Sequence, residues 1–162
     1  MLQVRPLTEL FRKAKALGVN TCLDTSAQPF SRKENFFPAF EQLMHFTALV
    51  LLDIKHIDSA AHKQLTGWDN RGILDCARYL SDIHKPVWIR YVLVPGINDD
   101  DESLHRYRAF LDTLDNVERV EVLPYHSLGV YKWEQLGIPY TLKEVEPPTE
   151  ESLRHVRKIL TE

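Results

Sequence analysis

Apolar residues along the chain follow two alternating patterns: short continuous runs typical of buried strands, and residues at helical spacing. The continuous runs predict four strands, at residues 19–25, 48–54, 85–96 and 116–126. Helical spacing and local stop signals predict helices at residues 6–17, 38–45, 59–66, 71–83 and 101–114, and from 150 onward. The expected N-caps are Asp58 or Ser59, Asn70 and Thr149, and residues 127–148 read as irregular. Strands that alternate with helices predict an α/β fold with a parallel sheet.

Arg90, in the middle of the third strand, distinguishes between two kinds of parallel sheet. A strand covered by helices on both faces should not hold a central arginine, whereas a barrel strand can direct it into a wet lumen. We therefore expect an incomplete (β/α) barrel of about four parallel strands with flanking helices, in a single domain over residues 1–162. The chain opens on a helix without a strand before it, so the first strand–helix unit is expected to be incomplete.

Composition narrows the function classes. The net charge of −3, with acidic and basic residues mixed, gives no support to binding of nucleic acid or of an anionic membrane surface. No stretch is long and apolar enough to span a bilayer, and the first residues contain no signal-like run. We expect a cytoplasmic protein whose Cys22 and Cys76 are reduced, small buried residues. Two cysteines alone cannot ligate a zinc ion or an iron–sulfur cluster.

Polar side chains stand at the predicted carboxyl ends of the strands, where α/β folds build their sites. The expected site residues are Asp24 and Thr25 after the first strand, Asp53 and Lys55 after the second, Arg90 on the third and His126 after the fourth. Such a mixed-charge pocket suits a zwitterionic or hydroxyl-rich small ligand, or a cation beside the two aspartates. Each residue also has an ordinary explanation, such as a turn cap, an ion pair, a backbone hydrogen bond or an arginine at a sheet edge.

Several motifs occur in an order that resembles the pyruvate formate-lyase activating enzymes, a family of radical S-adenosylmethionine (SAM) activases. They are TCLDT (21–25), LVLLDIKHID (49–58), LTG (65–67), PVWIRYVLVPGIND (86–99), VERVEVLPYHSLGVYKW (117–133) and EPPTEESLRHVRKIL (146–160). The resemblance covers essentially the whole chain. It implies the last four strands of a partial (β/α)6 barrel, in an enzyme that uses SAM and a 4Fe-4S cluster to generate a glycyl radical on pyruvate formate-lyase.

The resemblance also implies roles for individual residues. SAM would be contacted by Asp24, Asp53, Ile54, Lys55 and His126, and Arg90 would face the glycine-bearing loop of pyruvate formate-lyase. A monovalent cation next to SAM would be held by Asp24, Thr25, Asp53 and the carbonyl of Leu51. The reductant of the full-length family enzyme would be of the flavodoxin type.

Two family motifs are absent from this sequence: the three-cysteine CxxxCxxC motif and the GGE stretch. The chain therefore resembles the C-terminal portion of the family enzyme, and the cluster ligands are missing from it. We expect the polypeptide alone to be inactive, to bind SAM weakly and to carry its first strand as an unpaired sheet edge.

Two other functions remain open. Lys55 at a strand end, beside Asp53, is where the nucleophile of a Schiff-base aldolase on a (β/α) barrel would stand. The chain could also dock on the lyase without chemistry, as a non-catalytic binding protein.

Overall fold

The computed structural model describes residues 3–161, and Met1, Leu2 and Glu162 lie outside the described part. Its elements are α1 Val4–Ala16, β1 Cys22–Thr25, α2 Phe37–Phe46, β2 Leu49–Asp53, α3 Ser59–Thr66, α4 Arg71–Asp82, β3 Val87–Leu93, α5 Asp101–Leu111, β4 Val117–Pro124, α6 Val130–Gln135 and α7 Glu150–Thr161. The four predicted strands are all present, each shorter than its apolar run.

The strands form one parallel sheet in the order β1-β2-β3-β4. Right-handed crossovers that all step in the same direction place their helices on the same face of the sheet. A doubly wound sheet would instead reverse its strand order and carry helices on both faces. The sequential order is therefore that of a barrel that has not closed, and it confirms the predicted incomplete (β/α) barrel.

Burial alternates along β1, β2 and β3 and separates the two faces of the sheet. On β3, Val87, Ile89 and Tyr91 are buried, whereas Trp88 and Arg90 are half-buried. The buried residues pack against the helices in one continuous apolar core. The other face, hereafter the open face, corresponds to the lumen side of a barrel, as the position of Arg90 predicts.

An aromatic cluster anchors the segment between β1 and α2 to the core. Phe30 contacts Phe40 with ring centroids 5.2 Å apart, and Phe37 contacts Tyr79 of α4 at 5.0 Å, both near edge-to-face. Edge-to-face pairs add to the stabilisation from burial. The long loop after β1 is thereby held over the helical side of the sheet, away from the open face.

The helix termini confirm two of the predicted caps and overturn a third. Asp58 Oδ1 accepts hydrogen bonds from the backbone N–H groups of Ala60 and Ala61, and Thr149 Oγ1 accepts from Ser152. Asn70 occupies the N-cap position of α4 but makes no capping bond, so the prediction that its side chain caps this helix was wrong. Its amide instead donates to two carbonyls of the loop after β2.

The stretch predicted as irregular contains the short helix α6. None of its residues is buried, so it lacks the apolar stripe from which the other helices were predicted. Within residues 3–161, no helix combines the length and the apolar character needed to cross a membrane.

Candidate functional site

Arg90 joins the first two strand ends on the open face. Its Nη1 lies 3.0 Å from Asp24 Oδ2, and its Nε lies 3.2 Å from Asp53 Oδ1. Lys55 Nζ lies 3.3 Å from Asp53 Oδ2. Four of the predicted site residues therefore form one network of two cations and two anions at the carboxyl edge of the sheet.

Strand register explains why these side chains meet. Asp53 pairs with Arg90 across β2 and β3, and Asp24 pairs with Leu51 across β1 and β2. Paired residues of parallel strands direct their side chains to the same face. The alternation of burial continues beyond β2, with Ile54 and His56 buried and Asp53 and Lys55 half-buried. The extended backbone after the strand thus keeps Lys55 on the same face as Asp53.

The network is partly open to solvent. The Asp53 side chain is 15% exposed and that of Arg90 is 23% exposed, whereas Asp24 is 56% exposed. Burial acts to lower the pKa of Arg90, but the hydrogen bonds and charges of Asp53 and Asp24 outweigh it and raise that pKa. The guanidinium is therefore a fixed positive charge, and the exposed Asp24 is where a ligand would first meet the network.

The remaining predicted site residues lie outside this network. His126 is exposed just after β4, and it makes no hydrogen bond or ion pair with the other four among residues 3–161. Ile54 is fully buried, and its carbonyl accepts a hydrogen bond from Tyr107, so its side chain belongs to the core. Thr25 faces the helical side, where its Oγ1 accepts a hydrogen bond from the Ala27 N–H. Leu51 lies half-buried on the open face.

The open face carries further polar residues that the sequence alone did not single out. Glu121 of β4 pairs in register with Arg90, and its carboxylate lies 3.2 Å from Arg119 Nε. The Arg119 guanidinium in turn stacks 4.9 Å from the ring centroid of Trp88. Register along parallel strands was the signal that could have located Glu121, once Arg90 was placed on the open face.

His56, next to Lys55, is a buried structural residue. Its Nδ1 accepts a hydrogen bond of 2.9 Å from the Asp58 N–H, which places the proton of the neutral ring on Nε2. Burial lowers the pKa of His56 below the ordinary 6.5, against the opposing charges of Asp58 and Asp100. The neutral imidazole is thus part of the local fold.

The two cysteines do not fit an iron–sulfur cluster. Cys22 is exposed on the open face, which overturns the expectation that it is a buried residue, whereas Cys76 is buried on α4 as predicted. The two thiols thus lie on opposite sides of the sheet. Across the described residues, no group of three or more His, Cys, Asp or Glu side chains is arranged to hold a metal ion. The described part of the chain therefore contains no set of ligands for an iron–sulfur cluster.

Arg90 engages two of the side chains that were expected to bind a monovalent cation. Asp24 and Asp53, the two carboxylates expected to bind the cation, are both paired with this guanidinium. Thr25 Oγ1, a third expected ligand, is engaged on the other face. The carboxylates already have a positive partner, so they fit the hydroxyl groups of a ligand better than a bare cation.

Comparison with known proteins identifies the relatives of this chain. The chain is 53% identical, over 154 residues, to the pyruvate formate-lyase-activating enzyme of Staphylococcus epidermidis. It is a homologue of the pyruvate formate-lyase-activating enzymes. The alignment covers 95% of this chain but 61% of the relative, so the homologue spans about three fifths of the length of the curated relative it matches. No protein-family model matches the chain.

Solved structures bear out the fold of this activating-enzyme homologue. A domain of a pyruvate-formate lyase-activating enzyme from Bacteroides vulgatus superposes with a TM-score of 0.77 at 24% identity, over 99% of this chain and 86% of that one. A radical SAM methyltransferase from Sphaerobacter thermophilus superposes with a TM-score of 0.62 at 19% identity, over 89% of this chain and 39% of that one. The sheet and its helices therefore follow the arrangement found in radical SAM proteins.

Proposed function

We propose that this chain corresponds to the C-terminal portion of a radical SAM activase that generates a glycyl radical on pyruvate formate-lyase, and that it carries some of the residues that contact SAM. The observation that carries the proposal is the network of Asp24, Asp53, Lys55 and Arg90 at the carboxyl edge of the sheet. It stands in a chain about half identical to activating enzymes over nearly its whole length. The motif DIKH has Asp53 and Lys55 of this network at the end of β2, and the motif LPYH has His126 at the end of β4.

The chemistry of SAM matches the charges on the open face. SAM carries a positive sulfonium, a ribose with two hydroxyls and an amino-acid group with both charges. Asp53 and Asp24 offer hydrogen-bond acceptors for the ribose hydroxyls and negative charge near the sulfonium, and Lys55 offers a donor for a carboxylate. His126, exposed at the same edge, would close the site from β4, and Ile54 would contribute through its main chain. Bound SAM supplies the radical precursor, and these residues hold and orient it.

Arg90 is the residue that we assign to the partner side of the site. In this structure it is the central charge of the network, with two carboxylate partners. The glycine-bearing loop of the lyase would approach along the open face, where Arg90 and the exposed Asp24 are reachable. We also propose a cytoplasmic location and, for an enzyme with a complete cluster motif, a flavodoxin-type reductant.

The chain by itself should not perform the reaction, because its two thiols do not fit a 4Fe-4S cluster. Incubation with pyruvate formate-lyase, SAM and a chemical reductant should give no glycyl radical by electron paramagnetic resonance. A full-length activating enzyme, assayed in parallel, is the positive control. A robust glycyl radical signal from this chain alone would contradict the proposal that the chain cannot perform the reaction by itself.

A capture experiment tests docking on pyruvate formate-lyase and distinguishes the activase from the two alternative functions. Immobilised chain should retain pyruvate formate-lyase if its open face carries part of the docking surface, and Arg90→Glu should reduce that retention. The control Arg12→Glu changes an exposed arginine of α1, where it pairs locally with Glu9, and should leave retention unchanged. Retention without SAM binding would favour a non-catalytic binding protein. Borohydride trapping of a carbonyl substrate on Lys55 would instead favour the aldolase.

A further inference from the structure

The loop after β2 has four consecutive carbonyls, and each accepts a hydrogen bond from a buried side chain. Tyr107 donates its hydroxyl to the Ile54 carbonyl at 3.2 Å, and Asn98 Nδ2 donates to the Lys55 carbonyl at 3.0 Å. Asn70 Nδ2 donates to the carbonyls of His56 at 3.0 Å and Ile57 at 2.7 Å. We refer to Asn70, Asn98 and Tyr107 as the carbonyl clamp.

All three clamp residues belong to the core. Asn98 is 0% exposed, and Asn70 and Tyr107 are each 1% exposed. A buried amide that makes its full set of hydrogen bonds is stabilising, whereas one left unpaired is costly. Buried polar networks of this kind also fix a single local arrangement. Helix packing alone does not require asparagines at these positions, and a function for the segment they hold would explain them.

Asn98 also connects the loop after β2 to the end of β3. Its Nδ2 donates to the Val92 carbonyl at 2.9 Å as well as to that of Lys55, and its Oδ1 accepts from the Val94 N–H at 2.7 Å. Tyr91 donates its hydroxyl to the Asn98 carbonyl. One side chain therefore sets the position of Lys55 relative to the strand that carries Arg90.

We propose that Asn70, Asn98 and Tyr107 are positioning residues: they fix the carbonyls of residues 54–57 and so hold Asp53 against Arg90, with Lys55 beside Asp53. They touch none of these charged groups themselves and act through the backbone. The segment that follows a strand in α/β folds is otherwise a mobile loop, and a binding site on it needs support of this kind. The assignment to a cofactor site rests on the proposed function, whereas the mechanical coupling does not.

Asn116 offers a matched control. It is also a buried asparagine, and its Nδ2 donates to the Lys85 carbonyl at 2.7 Å. It precedes β4 and therefore lies at the opposite, amino edge of the sheet. Asn98→Ala and Asn116→Ala thus remove the same buried side chain at opposite edges of the sheet, and only the first touches the loop after β2.

The test measures hydrogen exchange by NMR on the full chain, without any ligand. The reporters are the Asp58 amide, bonded to His56 Nδ1, and the Arg90 Nε–H, bonded to Asp53. Asn98→Ala removes three side-chain hydrogen bonds and should speed exchange at both reporters by about 10- to 30-fold. Asn116→Ala should leave both within about twofold of wild type once global stability is taken into account. Equal effects of the two variants would overturn the inference.

Tyr107→Phe is the second variant, for the case in which Asn98→Ala does not fold. It removes one hydroxyl and keeps the ring, which packs edge-to-face on Tyr91 at 4.9 Å. It should speed exchange of the Arg90 Nε–H, and unchanged exchange there would overturn the inference. A SAM titration of the same proteins then separates the two proposals. Faster exchange in the variants, together with no SAM binding by wild type, would leave the clamp standing and remove the proposed function.

Discussion

Asp53 and Arg90 face each other in register across two parallel strands, with Arg90 Nε 3.2 Å from Asp53 Oδ1. This pair is the centre of the candidate site, because Asp24 and Lys55 each attach to one of its members. It also accounts for an arginine in the middle of a strand: the open face supplies both solvent and carboxylates to a charge that a covered strand would exclude.

Replacing Arg90 should destabilise the chain through the carboxylates it leaves behind. Arg90→Met removes the positive partner of Asp24 and one of the two positive partners of Asp53, and we expect a loss of about 1–2 kcal/mol in the free energy of unfolding. Arg90→Lys keeps the charge but cannot reach both carboxylates with a planar fork, so its stability should lie between that of wild type and that of Arg90→Met. Urea unfolding measures the effect. A stability of Arg90→Met equal to wild type would show that the network contributes nothing to the fold.

His56 should make stability depend on pH near neutrality. Burial lowers its pKa in the folded chain below 6.5, so the unfolded chain binds the proton more readily. The contribution of neutral His56 to the stability of the folded chain is therefore complete above pH 6.5, and it is lost as the pH falls below 6.5. Between about pH 8 and about pH 5.5, wild type should lose more stability than His56→Gln. The control is His45→Gln, which changes an exposed histidine of α2.

Asp58 should stabilise the folded chain about as much as a typical helix N-cap does. Its carboxylate accepts from two N–H groups at the start of α3, and these bonds hold the pKa of Asp58 below its usual range. Asp58→Ala should cost about 1 kcal/mol in urea unfolding, and Asp58→Asn or Asp58→Ser should recover most of it. If Asp58→Ser is destabilised as much as Asp58→Ala, the loss comes from the ion pair with Arg106, 3.8 Å away, and not from the cap.

The two thiols should react differently with Ellman's reagent. Cys22 is exposed and Cys76 is buried on α4, so native protein should release one equivalent of product and unfolded protein two. Burial, with the nearby Asp24, raises the pKa of Cys22, so its reaction near neutral pH should be slower than that of a free thiol. Cys22→Ser should abolish the native reaction, and a remaining native equivalent would mean that α4 opens readily.

The sequence predicts those parts of the fold and site that depend on short-range pattern. Alternating strands and helices indicated the parallel sheet, and Arg90 in mid-strand indicated the open face. Spacing by two residues placed Asp53 and Lys55 together, as observed. These predictions hold because pleat and register follow from residue order alone.

The remaining features depend on tertiary contacts that no local pattern encodes. Asn70 has the sequence signature of a helix cap, yet its amide binds carbonyls 13 and 14 residues earlier in the chain. Asn98 lies in the loop after β3, and its bond to the Lys55 carbonyl spans 43 residues. Cys22 is exposed because the barrel is open at this face, which strand composition does not reveal.

The most direct test of the proposal that the network of Asp24, Asp53, Lys55 and Arg90 contacts SAM is an NMR titration of the chain with SAM. We predict weak binding, with shifts concentrated at Asp24, residues 53–55, Arg90 and His126. Asp53→Asn should abolish these shifts, whereas Asp115→Asn, which changes a carboxylate before β4, should retain them. Shifts at other surfaces, or none at saturating SAM, would contradict the account.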